Sequence, residues 1–259
     1  MNVGNRRTLI FSVPMDLYDT TTFGCCRLIL KREQDIFARA IRQLRKDRQV
    51  AFSALYSFAL YPYTVSRTFE AEPGVNLLRT YRVDTYRALA EKISLNPVLH
   101  SFQRIFHQYG FEWTWVDSFL AAQERYHLSR HKQPHPVLPP FDRSYQPLVW
   151  MALRLLAPSA ADFTQLTASV PRFADCLQAV DWLQRATDVQ VDAMQPLRCR
   201  DRVGVLIRLR NDLTGLQVPI HLLRRDARQA LKRLIRHYAD TLTGVDRHRP
   251  CVDCPANCS

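Results

Sequence analysis

Leu44-Arg45-Lys46-Asp47-Arg48-Gln49-Val50-Ala51-Phe52-Ser53-Ala54-Leu55-Tyr56-Ser57-Phe58, followed after two more residues by Tyr61-Pro62-Tyr63-Thr64-Val65-Ser66-Arg67, is the stretch on which the fold turns. Val50, Ala51, Ala54, Leu55 and Phe58 return at intervals of one, three or four, which lays them along one face of a helix. Before them, Cys26, Ile29, Leu30, Phe37, Ile41 and Leu44 mark a broken pair of helices with the same rhythm.

Outward from this stretch the chain stays helical in character. Seven glycines stand against fifteen prolines, and alternating β-branched runs are almost absent. Helices separated by proline-marked joints account for that better than a sheet does, so the expected fold class is all-α. Asn96-Pro97 combines a capping side chain with a first-turn proline, opening a helix with Val98, Leu99, Phe102, Ile105 and Phe106 on its apolar face and Gly110 at its end. Another helix is predicted from Trp113 to Ser129, after which Pro134, Pro136, Pro139 and Pro140 impose an extended loop. Ser169 with Pro171 repeats the cap-then-proline signature ahead of Phe173, Leu177 and Val180. A last helix, His221 to Leu242, would bury Leu223, Ala227, Leu231, Leu234 and Tyr238 and expose Arg225, Arg228, Lys232 and Arg236. No internal repeat at a solenoid period is present.

The 259 residues, 47% hydrophobic, suffice for one large core. We expect a single helical domain over 1–245 and a flexible cysteine-containing tail over 246–259. A formal charge of +12 draws polyanions of any kind: nucleic acid, anionic lipid headgroups or diphosphates. The first fifteen residues lack the apolar core and small-residue cleavage site of a secretory signal. No run of about eighteen apolar residues occurs either. The expectation is a cytoplasmic protein, peripheral to a membrane at most, whose seven cysteines are reduced thiols rather than a disulfide framework.

Ala51, Ala54 and Tyr56 match the pattern L-P-x-x-x-R-x-A-x-x-A-x-Y-A-x-C-R, with Arg48 one residue ahead of its arginine, and from Phe23 to Arg67 the chain resembles the squalene/phytoene synthase family, which includes bacterial dehydrosqualene synthases. Cys26 and Phe37 survive from the family's Y-C and S-x-S-F motifs, which fall on Cys25-Cys26 and on Gln34, Asp35, Ile36 and Phe37. The likeness resumes at Asn96-Pro97-Val98-Leu99 and Tyr109-Gly110. It returns at Leu177, Gln178 and Leu183 within the form L-Q-x-x-N-x-L-R-D-x-x-x-D. The resemblance implies an isoprenoid synthase-like helical bundle around a central cavity. It also implies head-to-head condensation of two prenyl diphosphates, with Mg²⁺ bridging diphosphate oxygens to carboxylates on facing helices.

The chain departs from that pattern where the metal would bind. Tyr63, Thr64 and Arg67 stand in the first acidic cluster, Ala121 and Tyr126 in a third helix's acids, and Arg185 and Val189 in the second cluster. Asp181 replaces the cluster's Asn, and Asp188 points about 100° away from its neighbour's position. Mg²⁺ prefers carboxylates and phosphate oxygens in an octahedron; neutral hydroxyls are poor ligands, and an arginine repels the ion. The expected site therefore binds without catalytic residues and without metal, through Tyr56, Tyr63, Arg67, Gln178, Asp181 and Arg185. Arginine forks could hold a prenyl diphosphate or lipid phosphate there. The plainer reading makes Arg67 and Arg185 surface or ion-paired residues.

Three other constellations bear on function. His248, Cys251, Cys254 and Cys258 space four soft ligands in one short segment, which zinc or an iron–sulfur cluster could use, or which could be an exposed thiol tail. His127, His131 and His135 recur every four residues, but Pro134 breaks the helix, and we expect exposed histidines beside a loop. The basic stripe Arg225, Arg228, Lys232 and Arg236 reads as a solvated face or a contact for anionic membrane. Nucleic acid is the weaker partner, since interleaved exposed aromatics are missing. Nucleophile-elbow and phosphate-loop signatures are absent. Three functions thus stay open: a non-catalytic binding or scaffolding module with a lipid or protein partner; a divergent enzyme, either a prenyltransferase using displaced acids such as Asp181, Asp188 and Asp192 with Mg²⁺ or a phosphate-removing one; and a metal-responsive regulator working through the cysteine tail and basic surface.

Overall fold

Every regular element among the described residues is a helix, in the order α1 (Leu17–Glu33), α2 (Asp35–Ile41), α3 (Lys46–Thr68), α4 (Ala71–Glu91), α5 (Pro97–Tyr109), α6 (Trp113–Lys132), α7 (Gln146–Leu156) and α8 (Ala160–Thr167). Helical stretches at 170–175 and 225–234 and a 3₁₀ turn at Pro219–Leu222 follow. The computed structural model describes residues 16–33, 35–132, 145–175, 178, 219–234 and 236. The all-α expectation holds. The proline loop at 133–144 and the cysteine-containing tail at 246–259 lie outside the described residues.

Helix α5 is the axis of the bundle. It starts where the sequence says it should: the Asn96 side chain accepts from the amides of Val98 at 2.9 Å and Leu99 at 3.3 Å, with Pro97 in the first turn. It ends at Gly110, whose φ of 63° is the left-handed conformation that a residue with a Cβ resists. Leu99, His100, Ser101, Phe102, Gln103, Ile105 and Phe106 are all buried. Because successive side chains differ by about 100°, the unbroken buried run from Leu99 to Gln103 is enclosed on every side, while Arg104, His107 and Gln108 in the second half of the helix reach solvent. Its neighbours α1, α3 and α4 pack around it, and α6 and α7 extend the layer over α3 and α4.

At the α3–α5 crossing, the Phe58 ring lies on that of Phe102 with centroids 3.6 Å apart and planes 5° from parallel. Tyr81 and Phe119 each stand 5.7 Å from Phe58. Burying a phenylalanine of this kind contributes about 1.5–3 kcal/mol through apolar area alone. The aromatic wall continues through Phe106 and Phe111 to Trp115, which faces Trp150 of α7 and Phe163 of α8.

Pro62 sits inside α3, where it has no amide to offer the Phe58 carbonyl one turn back. The hydroxyl of buried Tyr81, on α4, donates to that oxygen instead, at 3.1 Å. Burial pushes the Tyr81 phenol well above its ordinary range, which keeps it a proton donor. Tyr61 stacks on the outer side of the same ring at 4.4 Å.

Helices α4, α7 and α8 are absent from the sequence expectation. The buried positions of α4 are Gly74, Val75, Leu78, Tyr81, Thr85, Ala88 and Leu89, and three of these seven are Gly, Thr and Tyr, which blunt the apolar rhythm. Helix α8 begins at a plain cap, Ser159 accepting from the Asp162 amide at 3.1 Å, yet buries only Leu166 among its own residues. A chain stripped of the Tyr81 hydroxyl should reveal the role of Pro62. Tyr81→Phe is expected to cost about 1–3 kcal/mol in urea unfolding by orphaning a buried carbonyl. Pro62→Ala, which supplies an amide, should recover most of that loss, and equal costs in both backgrounds would exclude the compensation.

Candidate functional site

Counting about 100° per residue, Tyr56, Tyr63 and Arg67 fall within about 40° of each other on α3. Tyr56, Leu60 and Tyr63 are half-buried along this stripe, as a helix flank bordering an interior site would be. Thr64 is rotated about 80° from Tyr56 and is exposed, so of the three residues replacing the first acidic cluster it stands aside. Gln178 is buried. The side chain of Arg67, and Asp181, Arg185 and Val189 entirely, lie outside the described residues. Tyr56 and Tyr63 thus share one stripe of α3 and Gln178 is buried, while the Arg67 side chain, Asp181 and Arg185 are not among the described parts.

The carboxylates of α3 and α6 have other occupations. Helix α3 carries a single one, Asp47 in its first turn, roughly 24 Å along the helix from Tyr63. Arg45 at 3.3 Å and Arg48 at 3.9 Å pair with it. Helix α5 has none. On α6, Asp117 and Glu124 are both held by Arg82 of α4: its Nη2 pairs with Asp117, its Nη1 lies 3.4 Å from Glu124, and its Nε donates to the Tyr86 oxygen at 2.9 Å. Tyr86 in turn donates to Asp117. That hydrogen bond, with the guanidinium behind it, holds the Asp117 carboxyl below the ordinary range, whereas burial and the same bond hold the Tyr86 phenol up. Ala121 shares the Asp117–Glu124 stripe, and Tyr126 is about 180° from Asp117. The residues present on α3, α5 and α6 do not fit Mg²⁺: the stripe offers neutral hydroxyls, and each carboxylate is already neutralised by an arginine. Among the described residues no group of three or more His, Cys, Asp or Glu could hold a metal ion.

Several expectations change on contact with the packing. His127 is no loop histidine but fully buried, with Nε2 3.1 Å from the carbonyls of both Glu70 and Ala71, so this nitrogen carries the proton and ties α6 to the start of α4. Gly74 leaves the room: a Cβ there would overlap the imidazole. The side chain of His131, all of His135 and the Cys251/Cys254/Cys258 tail lie outside the described residues. Over 223–236, Leu223 and Ala227 are buried and Arg225, Lys232 and Arg236 exposed, as expected, whereas Leu231 and Leu234 are only half-buried. Arg228 departs from the stripe, because its Nη2 turns back to the carbonyls of His221 at 2.9 Å and Leu223 at 3.2 Å. Arg48, one residue ahead of the pattern's arginine, donates to the Leu155 carbonyl at the end of α7 and lies 4.9 Å over the Tyr109 ring, a clamp between helices. Burial lowers its pKa and pushes the Tyr109 phenol up to about 12. The Arg82–Tyr86 pair, one turn apart on α4, is the sequence signal that could have disclosed the α4–α6 knot.

A solved dehydrosqualene synthase, crystallised with a ligand, is similar to this chain over 88% of its length and 87% of that chain, with a TM-score of 0.70 at 16% sequence identity. No protein-family model and no curated sequence matches it. At that identity the likeness establishes the fold, an all-α isoprenoid synthase-like bundle. No helix among the described residues is long and apolar enough to cross a membrane.

The Arg82 knot has a pH signature. Because the folded-state pKa of Asp117 is depressed, its contribution is present at neutral pH, above the unfolded value, and is lost as pH falls through the folded value. Arg82→Ala should therefore destabilise the protein more at pH 7 than at pH 3 in urea unfolding. The same loss at both values would show that the knot acts through packing rather than charge.

Proposed function

We propose that this protein is a non-catalytic module with the fold of prenyl-diphosphate-joining synthases, and that its cavity holds a prenyl diphosphate or related isoprenoid lipid without ionising it. Filled, the cavity would serve as a scaffold for a protein partner. The observation carrying this reading is the state of the carboxylates. Those on α3 and α6 are bound by Arg45, Arg48 and Arg82, and the stripe at Tyr56 and Tyr63 has hydroxyls where a metal-assisted ionisation needs acids. Tyrosine hydroxyls both donate and accept, and arginine grips phosphate oxygens as a fork, so Tyr56, Tyr63, Arg67, Gln178, Asp181 and Arg185 form a set suited to an anionic headgroup. The dehydrosqualene synthase likeness supports the fold in which such a set would face a cavity. A ligand of this kind partitions into membranes, and the reading expects the protein to work against a membrane surface.

The test is binding with and without turnover. Farnesyl diphosphate in EDTA should raise the melting temperature, and the rise should vanish in an Arg67→Ala, Arg185→Ala double variant. With Mg²⁺ added, no C30 product and no released diphosphate should form. Turnover would instead establish a divergent prenyltransferase working through Asp181, Asp188 or Asp192, and an undiminished rise in the double variant would remove the arginine site.

A further inference from the structure

Single exposed leucines are ordinary on protein surfaces, but several on one surface are not. Leu17 is 83% exposed, Leu28 70%, Ile93 55% and Leu95 94%. Leu17 and Leu28 lie eleven residues apart on α1, which returns them to within about 20° of one stripe, roughly 16 Å from end to end. Ile93 and Leu95 belong to the turn between α4 and α5. The turn is fixed beside the start of α1, because the Tyr18 hydroxyl donates to the Ser94 carbonyl at 2.5 Å and the Tyr18 ring packs on His100 at 4.6 Å. Three terminations hold it in shape. Asp16 caps α1 through the Asp19 amide at 2.7 Å, Lys92 ends α4 at φ 59°, and Asn96 caps α5.

Charge surrounds these leucines with a definite sign. Arg27, Lys31 and Arg32 are exposed on the outer side of α1, and Lys92 is exposed on the turn. Among the described side chains the carboxylates exposed beside them are Asp16 and Glu91; between Leu17 and Arg32 the only other is Asp19, which is buried against His100 and Arg104, each at 2.9 Å. A protein interface gathers its apolar residues into a core from which charge is depleted. Here Leu28 stands among Arg27, Lys31 and Arg32, and Ile93 and Leu95 follow Lys92 on the turn, the pattern of a surface that rests at the headgroup level of a bilayer with its aliphatic tips in the acyl boundary.

We infer that the outer face of α1, together with the α4–α5 turn, docks on an anionic lipid bilayer. This surface is separate from the cavity stripe, and docking does not depend on what fills the cavity. Flotation of the whole protein with phosphatidylcholine vesicles, with and without phosphatidylglycerol and with no prenyl diphosphate present, tests it. Wild type should float only with the anionic vesicles and be released by salt. Leu17→Glu with Leu95→Glu, and separately Arg27→Glu with Lys31→Glu, should each lower binding about tenfold or more, since one basic residue at such a surface is worth about fivefold. These side chains are exposed, so circular dichroism should show all variants folded. Lys232→Glu with Arg236→Glu should change binding less than about twofold on the same scale. The inference is overturned if wild type ignores anionic vesicles, if the leucine pair leaves binding intact, or if the control pair abolishes it. A wild-type dimer that Leu95→Glu makes monomeric, with no vesicle binding, would assign the surface to a second copy.

Discussion

The contact between Phe58 and Phe102 sets the terms for the rest of the molecule. Two free aromatic rings prefer an offset or edge-on arrangement to a face-to-face one, so a parallel pair at 3.6 Å holds only because its surroundings leave no alternative. Tyr81, Phe119 and the burial of α5 from Leu99 to Gln103 supply that confinement. A polar side chain in this buried run needs a partner inside. His100 finds one in Asp19, which Arg104 also pairs from the more exposed edge of α5, and burial holds the neighbouring Cys26 thiol of α1 protonated. Helix α1 is thereby bound along its inner side by α5, and what it turns outward is decided at the same time.

Charge is distributed in the interior by the same economy of partners. Most arginines that reach inward serve as joints: Arg82 joins α4 to α6, Arg48 joins α3 to α7, and Arg228 closes the turn before its own helix. Such pairings leave few carboxylates for chemistry near the α3 stripe. The isoprenoid synthase-like bundle is kept by apolar packing, which is indifferent to whether the stripe bears acids or tyrosines. Fold and headgroup chemistry rest on different side chains.

Much of the bundle was legible in the chain because local signals sufficed. Asn96-Pro97 and Gly110 bracket α5 with chemistry that works within a few residues, and the apolar spacing of α3 and α6 survives any tertiary context. Helix α4 was not legible, since its fit depends on Gly74 being small where His127 is large, a fact visible only when α6 is beside it. His127 illustrates the same limit: its four-residue spacing from His131 is real, but two carbonyls on another helix decide what it does. Of the candidate site, the Tyr56–Tyr63 alignment follows from helix geometry alone. The ties of Asp117 and Glu124 to Arg82 depend on partners 35 and 42 residues distant and could not be read from the chain.

Pro62 has one more consequence. It interrupts the ladder of α3 one residue before Tyr63, and the missing rung is supplied from α4 by Tyr81. The Phe58 turn of α3 is therefore tied sideways to a neighbouring helix where a forward bond to residue 62 is impossible. The Tyr81 phenol that makes this tie carries Tyr61 on its outer face. Any sliding of α4 against α3 at this point would register at the surface in the half-exposed Tyr61 ring.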